Sequence, residues 1–565
     1  MLKITTISWK VASISALALG FLTACGAPSE PTEIRAEGRA IQSHLEFLAS
    51  DLLEGRDTGT QSHEIASAYI AAQFQRMGVA PAGTDGYYQR VPLRTARVIP
   101  DSQKFTIHNE SGESRSLVYP RDFLMGPSVF ETESSVTAPL VFVGYGMVSD
   151  QFEIDDYANL DVSGAIVVTL SGLPEGLPSE EAAHLNSIKT ELAVERGAVG
   201  MISIHTPKRE ETVPYERAIF YANSPRVRWI GENGVPQNAY PEMKGGATIN
   251  YEAAEALFAN VPVTGEEIYA QMAAGERPVG MPLDLSVTLE KSSTYEDMDS
   301  PNVIGMIEGS DPALKDEYII YTAHSDHIGP VRSVEGPAEF NNGAMDNASG
   351  VSVMLETARM FADLVASGER PKRSILFAAV TAEERGLLGA DYFAHNPTVP
   401  IENIVANVNL DMPVLLYDFA DVVAFGANHS TLADAVAIAA GKFGIESAPD
   451  PMPEQALFTR SDHYTLVKQG VPAVFLMTGF TSKNPDENAG EIWQRFLREQ
   501  YHRPTDEVST LSQVYGGIRY GAAATFADIN FEIGKTIAND TARPEWNEDS
   551  YFGRVFAGGE NSIRH

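Results

Sequence analysis

The chain has 565 residues, 44% hydrophobic and 21% charged, and Lys+Arg 41 against Asp+Glu 76 gives a formal net charge of −35. At about 150 residues per domain this is about three to four units, and the composition excludes a disordered, collagen-like or multi-span membrane chain. An acidic surface of this size keeps a protein soluble and repels phosphate backbones, which argues against nucleic acid as a partner; no protein partner is predicted.

The first 25 residues read as an address rather than as structure. Lys3 and Lys10 precede the apolar run from Val11 to Leu22, which is too short for a stable bilayer span, and Leu22-Thr23-Ala24-Cys25 follows. Cys25 is the only cysteine, so no disulfide can form within the chain. The run resembles a bacterial lipoprotein lipobox, which implies cleavage before Cys25 and lipidation of its thiol, with several acyl chains making a stable anchor. By the same resemblance, Gly26 in place of an Asp points to the cell envelope at the outer membrane, facing the periplasm or cell surface. The alternative is an ordinary secretory signal. Residues 26–40, rich in Pro, Glu, Ala and Gly, read as a tether.

Apolar spacing near 3.6 predicts helices over 41–49 and 62–77, flanking the loop from Glu54 to Thr60. From 87 to 128 short alternating segments such as 104–108 predict strands, and 41–128 is assigned to the same body as residues 291–540. Residues 129–290 carry strand runs at 139–143, 165–170 and 200–204 and a helical stretch at 180–196. They lack clustered metal-ligand types and read as a separate module. In 291–540 four buried-strand runs, 317–323, 374–380, 404–410 and 471–477, alternate with helical patterns such as 351–364. This predicts an α/β fold, a mostly parallel, mixed sheet sandwiched by helices. Residues 541–565 read as a loose tail.

Ligands collect at the carboxyl ends of strands in such a sheet. The first strand exits into Ala323-His324-Ser325-Asp326-His327, the second into Thr381-Ala382-Glu383-Glu384, and the third into Asp411-Met412. Asp346 sits in a Gly-rich loop before the 351–364 helix, and Tyr501-His502-Arg503-Pro504-Thr505-Asp506 adds a second His with a carboxylate four residues on. His and carboxylate donors without Cys suit zinc, manganese or cobalt. Two ions sharing a bridging carboxylate and a bridging hydroxide need two His and three acids. His324, His502, Asp346, Glu384 and Asp411 meet that count, leaving Glu383 free as a general base. Asp326 and Asp506 are placed to orient His324 and His502. His327, His395 and His429 read as surface or packing residues. His63-Glu64-Ile65-Ala66-Ser67 lacks the second His of a zincin helix, and no Gly-x-Ser-x-Gly elbow is present.

The set resembles the di-zinc exopeptidase family of bacterial leucyl aminopeptidases and glutamate carboxypeptidases. The residues that carry the likeness are Ala323 to Asp326, Gly343 to Gly350, Ala382 to Gly389, Asn409 to Met412, Ser461-Asp462-His463 and His502 to Asp506. The resemblance implies two Zn2+ per chain, bridged by Asp346, with His324 and Asp411 on one ion and Glu384 and His502 on the other. It also implies peptide hydrolysis with Glu383 taking a proton from the bridging water and passing it to the leaving amine. Phe47 to Arg56 looks like the amino-terminal segment of the secreted members, and 129–290 resembles their inserted protease-associated domain, expected over the cleft. Where such members carry a Tyr before Arg-Ser-Asp-His, this chain has Phe458, so no carbonyl-contacting residue is assigned; His463 is a candidate substrate contact. The leading reading is a metallopeptidase acting as an aminopeptidase. The alternatives are a carboxypeptidase or other amidohydrolase on the same scaffold, and a non-catalytic, metal-stabilised binding lipoprotein.

Overall fold

The computed structural model describes residues 33–331 and 338–558. The signal segment, Cys25 and residues 26–32 of the expected tether lie outside the described residues, and a helix already begins at Gly38, ahead of the expected tether end at 40. Four strands rich in Val, Ile, Ala and Phe run parallel and side by side, in the order Ser374–Val380, Tyr318–His324, Ile404–Asn409, Ala473–Thr478. Nearly every residue in them is buried, as a sheet covered on both faces requires. Alternate side chains serve opposite faces. Ile320, Leu376 and Ala378 pack with Phe393 of helix Leu388–His395 and Leu466 of helix His463–Val467. On the other face Tyr321 stacks on Phe377 at 5.4 Å, beneath Phe361 of helix Gly350–Ala366 and Phe531 of helix Tyr520–Asn539. Antiparallel partners on either side, residues 303–307 and Asp421–Phe425, make the sheet mixed. The α/β class read from the sequence is the class observed.

The helices Gly38–Leu48 and Gln61–Met77 belong to this body. Thr60 caps the second by accepting from the His63 N–H, and Gly78, at φ 79°, ends it. Just before the first helix, the Ala36 N–H donates to Asp528 at 2.8 Å.

A second sheet contains Lys104–Asn109, Glu133–Phe142, Ile166–Leu170, Gly200–His205 and Gly245–Asn250. The 27-residue strand Met281–Ile307 joins the two layers: residues 281–292 pair in the second sheet and 293–307 in the first. Because 104–109 pairs with 285–290, the second module starts near residue 99, ahead of the expected 129. The helical stretch expected over 180–196 is two helices, Ser179–Ser187 and Lys189–Glu195.

The segment read as a loose tail is packed as far as Phe556. Trp546 donates to the Gly470 carbonyl at 2.8 Å, and the short helix Tyr551–Phe556 buries Phe552 against His429 and Phe458. Its aromatic residues outweigh the polar composition on which the expectation rested. Among the described residues no helix is long and apolar enough to cross a membrane.

Candidate active site

Strand Tyr318–His324 ends at the first of the expected ligands. His324 is buried, its Nδ1 lies 3.1 Å from the Asp326 carbonyl, and its Nε2 lies 3.2 Å from both Asp346 Oδ1 and Asp411 Oδ1. Asp346 arrives on the turn Ala344–Ser349, entered through Gly343 at φ 55°. A Cβ on Gly343 would collide with the Asp346 carbonyl oxygen, so only glycine lets the turn fold back so tightly. Asp346 Oδ2 lies 3.1 Å from His502 Nε2, and Glu384 Oε2 lies 3.2 Å from the same nitrogen. Glu383 stands apart, with Oε2 4.0 Å from His324 Nε2. All five expected ligands and the spare glutamate therefore meet in one place.

Two groups of donor atoms can each hold a cation: His324, Asp346 and Asp411, and His327, Asp346 and Glu384, all within 4.8 Å of one another in each group. The residues fit an ion by a direct test. Asp346 Oδ2, Glu384 Oε1 and both ring nitrogens of His327 are buried and make no hydrogen bond. Buried polar atoms are ordinarily paired, and here the unpaired ones converge. The donors that converge here, His and carboxylate without Cys, are a set that suits zinc.

The acids and imidazoles shift one another. Burial and the neighbouring Asp346 push Glu384 up, but His327 and His502 outweigh them and draw it down to about 2. Asp346 is likewise held well below the usual carboxylate range, the imidazoles overcoming burial. His502 rises to about 11 against its burial because it faces Asp346 and Glu384. Glu383 moves the other way. Burial lifts it well above its ordinary value, opposed by His324 and reinforced by Glu384, Asp411 and Asp462.

Several supporting roles differ from those read in the sequence. Asp506 does not bond His502. Its carboxylate accepts the backbone N–H groups of Met345 at 3.0 and 3.2 Å and Asp346 at 3.1 Å, so it holds the Asp346 turn instead. Asp326 offers His324 its backbone carbonyl, while its carboxylate accepts from Thr58 Oγ1 at 2.9 Å and the Glu383 N–H at 3.1 Å. His463 is fully buried with its ring 5.2 Å from Phe458 and 5.3 Å from Phe475, and it is not among the residues lining the cleft. His327, expected at the surface or in packing, lies inside the site with Nδ1 2.6 Å from Glu384 Oε1. The sequence signal was present, since His327 follows His324 by three residues beyond the same strand end. His429 does pack, against Phe458 and Phe552.

Arg56 carried no such signal. Its fully buried guanidinium bonds the carbonyls of Ser325 at 3.1 Å, Asn342 at 2.7 Å, Gly343 at 3.3 Å and Leu48, tying two ligand-bearing loops to the amino-terminal helix. Tyr501 also went unread: its ring stacks on His502 at 3.8 Å and lines the cleft. That cleft is open to solvent. Beyond the ligands and Glu383 it is walled by Met412, Leu457, Arg460, Phe475, Met477 and Tyr501.

Comparison with known proteins bears on this arrangement. A family model described as Peptidase family M28 matches residues 302–515, which contain every candidate ligand. This segment is similar to peptidase family M28. Curated relatives are similar over part of the chain: an Aminopeptidase NAALADL1 of Mus musculus is 33% identical over 177 residues, 29% of this chain and 22% of that protein. A protein of Pyrenophora teres f. teres (strain 0-1), named "Probable zinc metalloprotease", is 38% identical over 112 residues, 20% of this chain and 22% of that protein. The chain thus spans about a fifth of the length of these relatives. The solved aminopeptidase from Aneurinibacillus sp. strain AM-1 shares the fold, with a TM-score of 0.50 and 20% identity, covering 90% of this chain and 96% of that one.

Proposed function

We propose that the protein is a zinc-dependent exopeptidase, an aminopeptidase, that binds two ions per chain. The observation that carries this reading is the shared Asp346, which belongs to both donor groups while Glu383 is left beside them without a ligand's place. Asp346 would bridge the two ions, His324 and Asp411 completing one and Glu384 and His502 the other; manganese or cobalt satisfies the same donors. When bound, such ions polarise the scissile carbonyl and lower the pKa of water. Glu383 supplies the proton traffic. A carboxylate whose proton affinity is raised by burial and neighbouring acids is the stronger base, and it can take the proton of the attacking water and return it to the leaving amine. The Ser461 hydroxyl holds Asp411 Oδ2 at 2.6 Å and thereby fixes the direction of its other oxygen. The apolar walls of the cleft suit a peptide with an apolar side chain.

Contacts of the second module support placing it at an edge of the cleft. Helix Ser179–Ser187 packs on the segments 453–455 and 457–459, with His184 Nδ1 2.6 Å from the Tyr464 hydroxyl and Glu180 2.8 Å from His429. This supports a protease-associated-like insertion that shapes access. The lipobox supports anchoring at the cell envelope through Cys25.

The test is the release of nitroaniline from a panel of aminoacyl-nitroanilides by the mature chain lacking Cys25, with and without a chelator. Chelator-sensitive turnover supports the reading. If the metal-loaded protein is inert there, end-group analysis of a digested peptide decides between a carboxypeptidase and no peptidase at all.

A further inference from the structure

His327 has no place in the five-ligand arrangement, yet the fold is built around it. It is fully buried, and neither ring nitrogen is hydrogen-bonded. Its backbone N–H donates to the Arg56 carbonyl at 3.2 Å. Its ring lies over Gly343, where a Cβ would stand 2.8 Å from ring atoms Cγ and Cδ2. Nδ1 lies 2.6 Å from Glu384 Oε1 and 3.9 Å from Asp346 Oδ2. Nδ1, Glu384 Oε1 and Asp346 Oδ2 thus converge in the interior, and none of the three is satisfied by an ordinary hydrogen bond. A single divalent cation would pair all three.

We propose that His327 is a fourth protein ligand of the ion held by Asp346, Glu384 and His502, an inference that rests on the two-metal reading above. The two ions then differ in kind. Four protein ligands make a closed, structural type of site, whereas His324, Asp346 and Asp411 provide three and leave a position open on the side of Glu383. The closed ion would tie together four segments of chain, those carrying His327, Asp346, Glu384 and His502.

The test compares the mature wild-type chain with His327→Ala and His327→Gln by metal content after dialysis against graded chelator, and by the visible spectrum of the Co2+-loaded proteins. Wild type is expected to release its two ions in separate steps. Each variant should hold the tighter ion at least about tenfold more weakly and lose part of the cobalt absorption. Two ions retained in the variants at wild-type affinity, with an unchanged cobalt spectrum, would overturn the proposal while leaving the two-metal reading intact. A wild type that binds no divalent ion would sink both. Should the variants fail to fold, X-ray absorption of the zinc-loaded wild type decides: three imidazoles per two ions supports His327 as a ligand, and two overturns it.

Discussion

Glu383 and Glu384 are neighbours in sequence and opposites in electrostatics. Glu384 faces His327 and His502 and is drawn down to about 2, while Glu383 is buried beside other acids and is lifted well above its ordinary value. Two carboxyls pushed apart in this way suit two tasks, one to stay ionised against a cation and one to exchange a proton. Glu383→Gln is therefore expected to keep its metal content and lose about 10²- to 10⁴-fold in kcat. Unchanged turnover would remove Glu383 from the chemistry. Ser461 works through Asp411. Ser461→Ala deletes the 2.6 Å bond to Oδ2, and metal affinity, measured by chelator competition, is expected to fall about 10- to 100-fold.

At the scale of elements, the ligands come from strand ends and the turns after them, and their precision depends on what holds those turns. Arg56, in the turn between the helices Gly38–Leu48 and Gln61–Met77, donates to four carbonyls, three of them in or beside the loops that carry His324, His327 and Asp346. Burial lowers its pKa to about 10, which leaves it charged at neutral pH, with Asp326, Asp346, Asp506 and Glu384 as the nearby anions. Arg56→Met removes the donors and leaves carbonyls buried without partners, at about 1–3 kcal/mol for each one that water cannot reach. Denaturant melts should show a loss of that order or more together with reduced metal content. A full-length variant with wild-type stability would show that water replaces the guanidinium. Gly343→Ala is expected to be more damaging to the site than to the sheet. Its φ of 55° and the clash with the Asp346 carbonyl force the turn open, so metal binding should be lost before the sheet melts.

Across the whole molecule, the stretch before the second sheet and the last described residues are structural parts of the catalytic body rather than appendages. His63 shows this: its ring bridges Ser325 Oγ and Ser300 Oγ at 3.0 Å each, and burial lowers its pKa to about 3. His44, bonded to the Tyr69 hydroxyl at 2.8 Å, is lowered to about 4 by burial. Both values lie below the roughly 6.5 of an unfolded imidazole. Between that pH and the folded values the unfolded chain binds protons that the folded chain refuses. The stabilisation is thus complete above pH about 6.5 and is lost on acidification, by up to about 1.4 kcal/mol per pH unit for each ring. Asp326 and Asp506, lifted to about 6 by burial, act in the opposite sense, so the comparison must be with variants. His44→Gln and His63→Gln should flatten the fall in unfolding free energy between pH 6.5 and 4, and an unchanged slope would show that these rings protonate without unfolding.

The four central strands and the ligands at their ends were legible in the chain because each signal is local: a run of buried β-branched and aromatic residues, then a His or an acid where the run stops. His324, Glu383, Glu384 and Asp411 were found that way, Asp346 by its Gly-rich loop ahead of a helix, and His502 by its company with Asp506. What was not legible depends on distant segments meeting. Asp506 turned out to grip backbone N–H groups more than 150 residues away, Arg56 acts on carbonyls about 270 to 290 residues downstream, and His327 counts as a site residue only because Gly343 leaves room for its ring beside Glu384. By itself the sequence determined the α/β class, the run of ligand types and the spare glutamate. Only the tertiary structure decided which acid supports which ligand, which His enters the site and where the second module begins, because those are set by packing between segments whose separation no local pattern records.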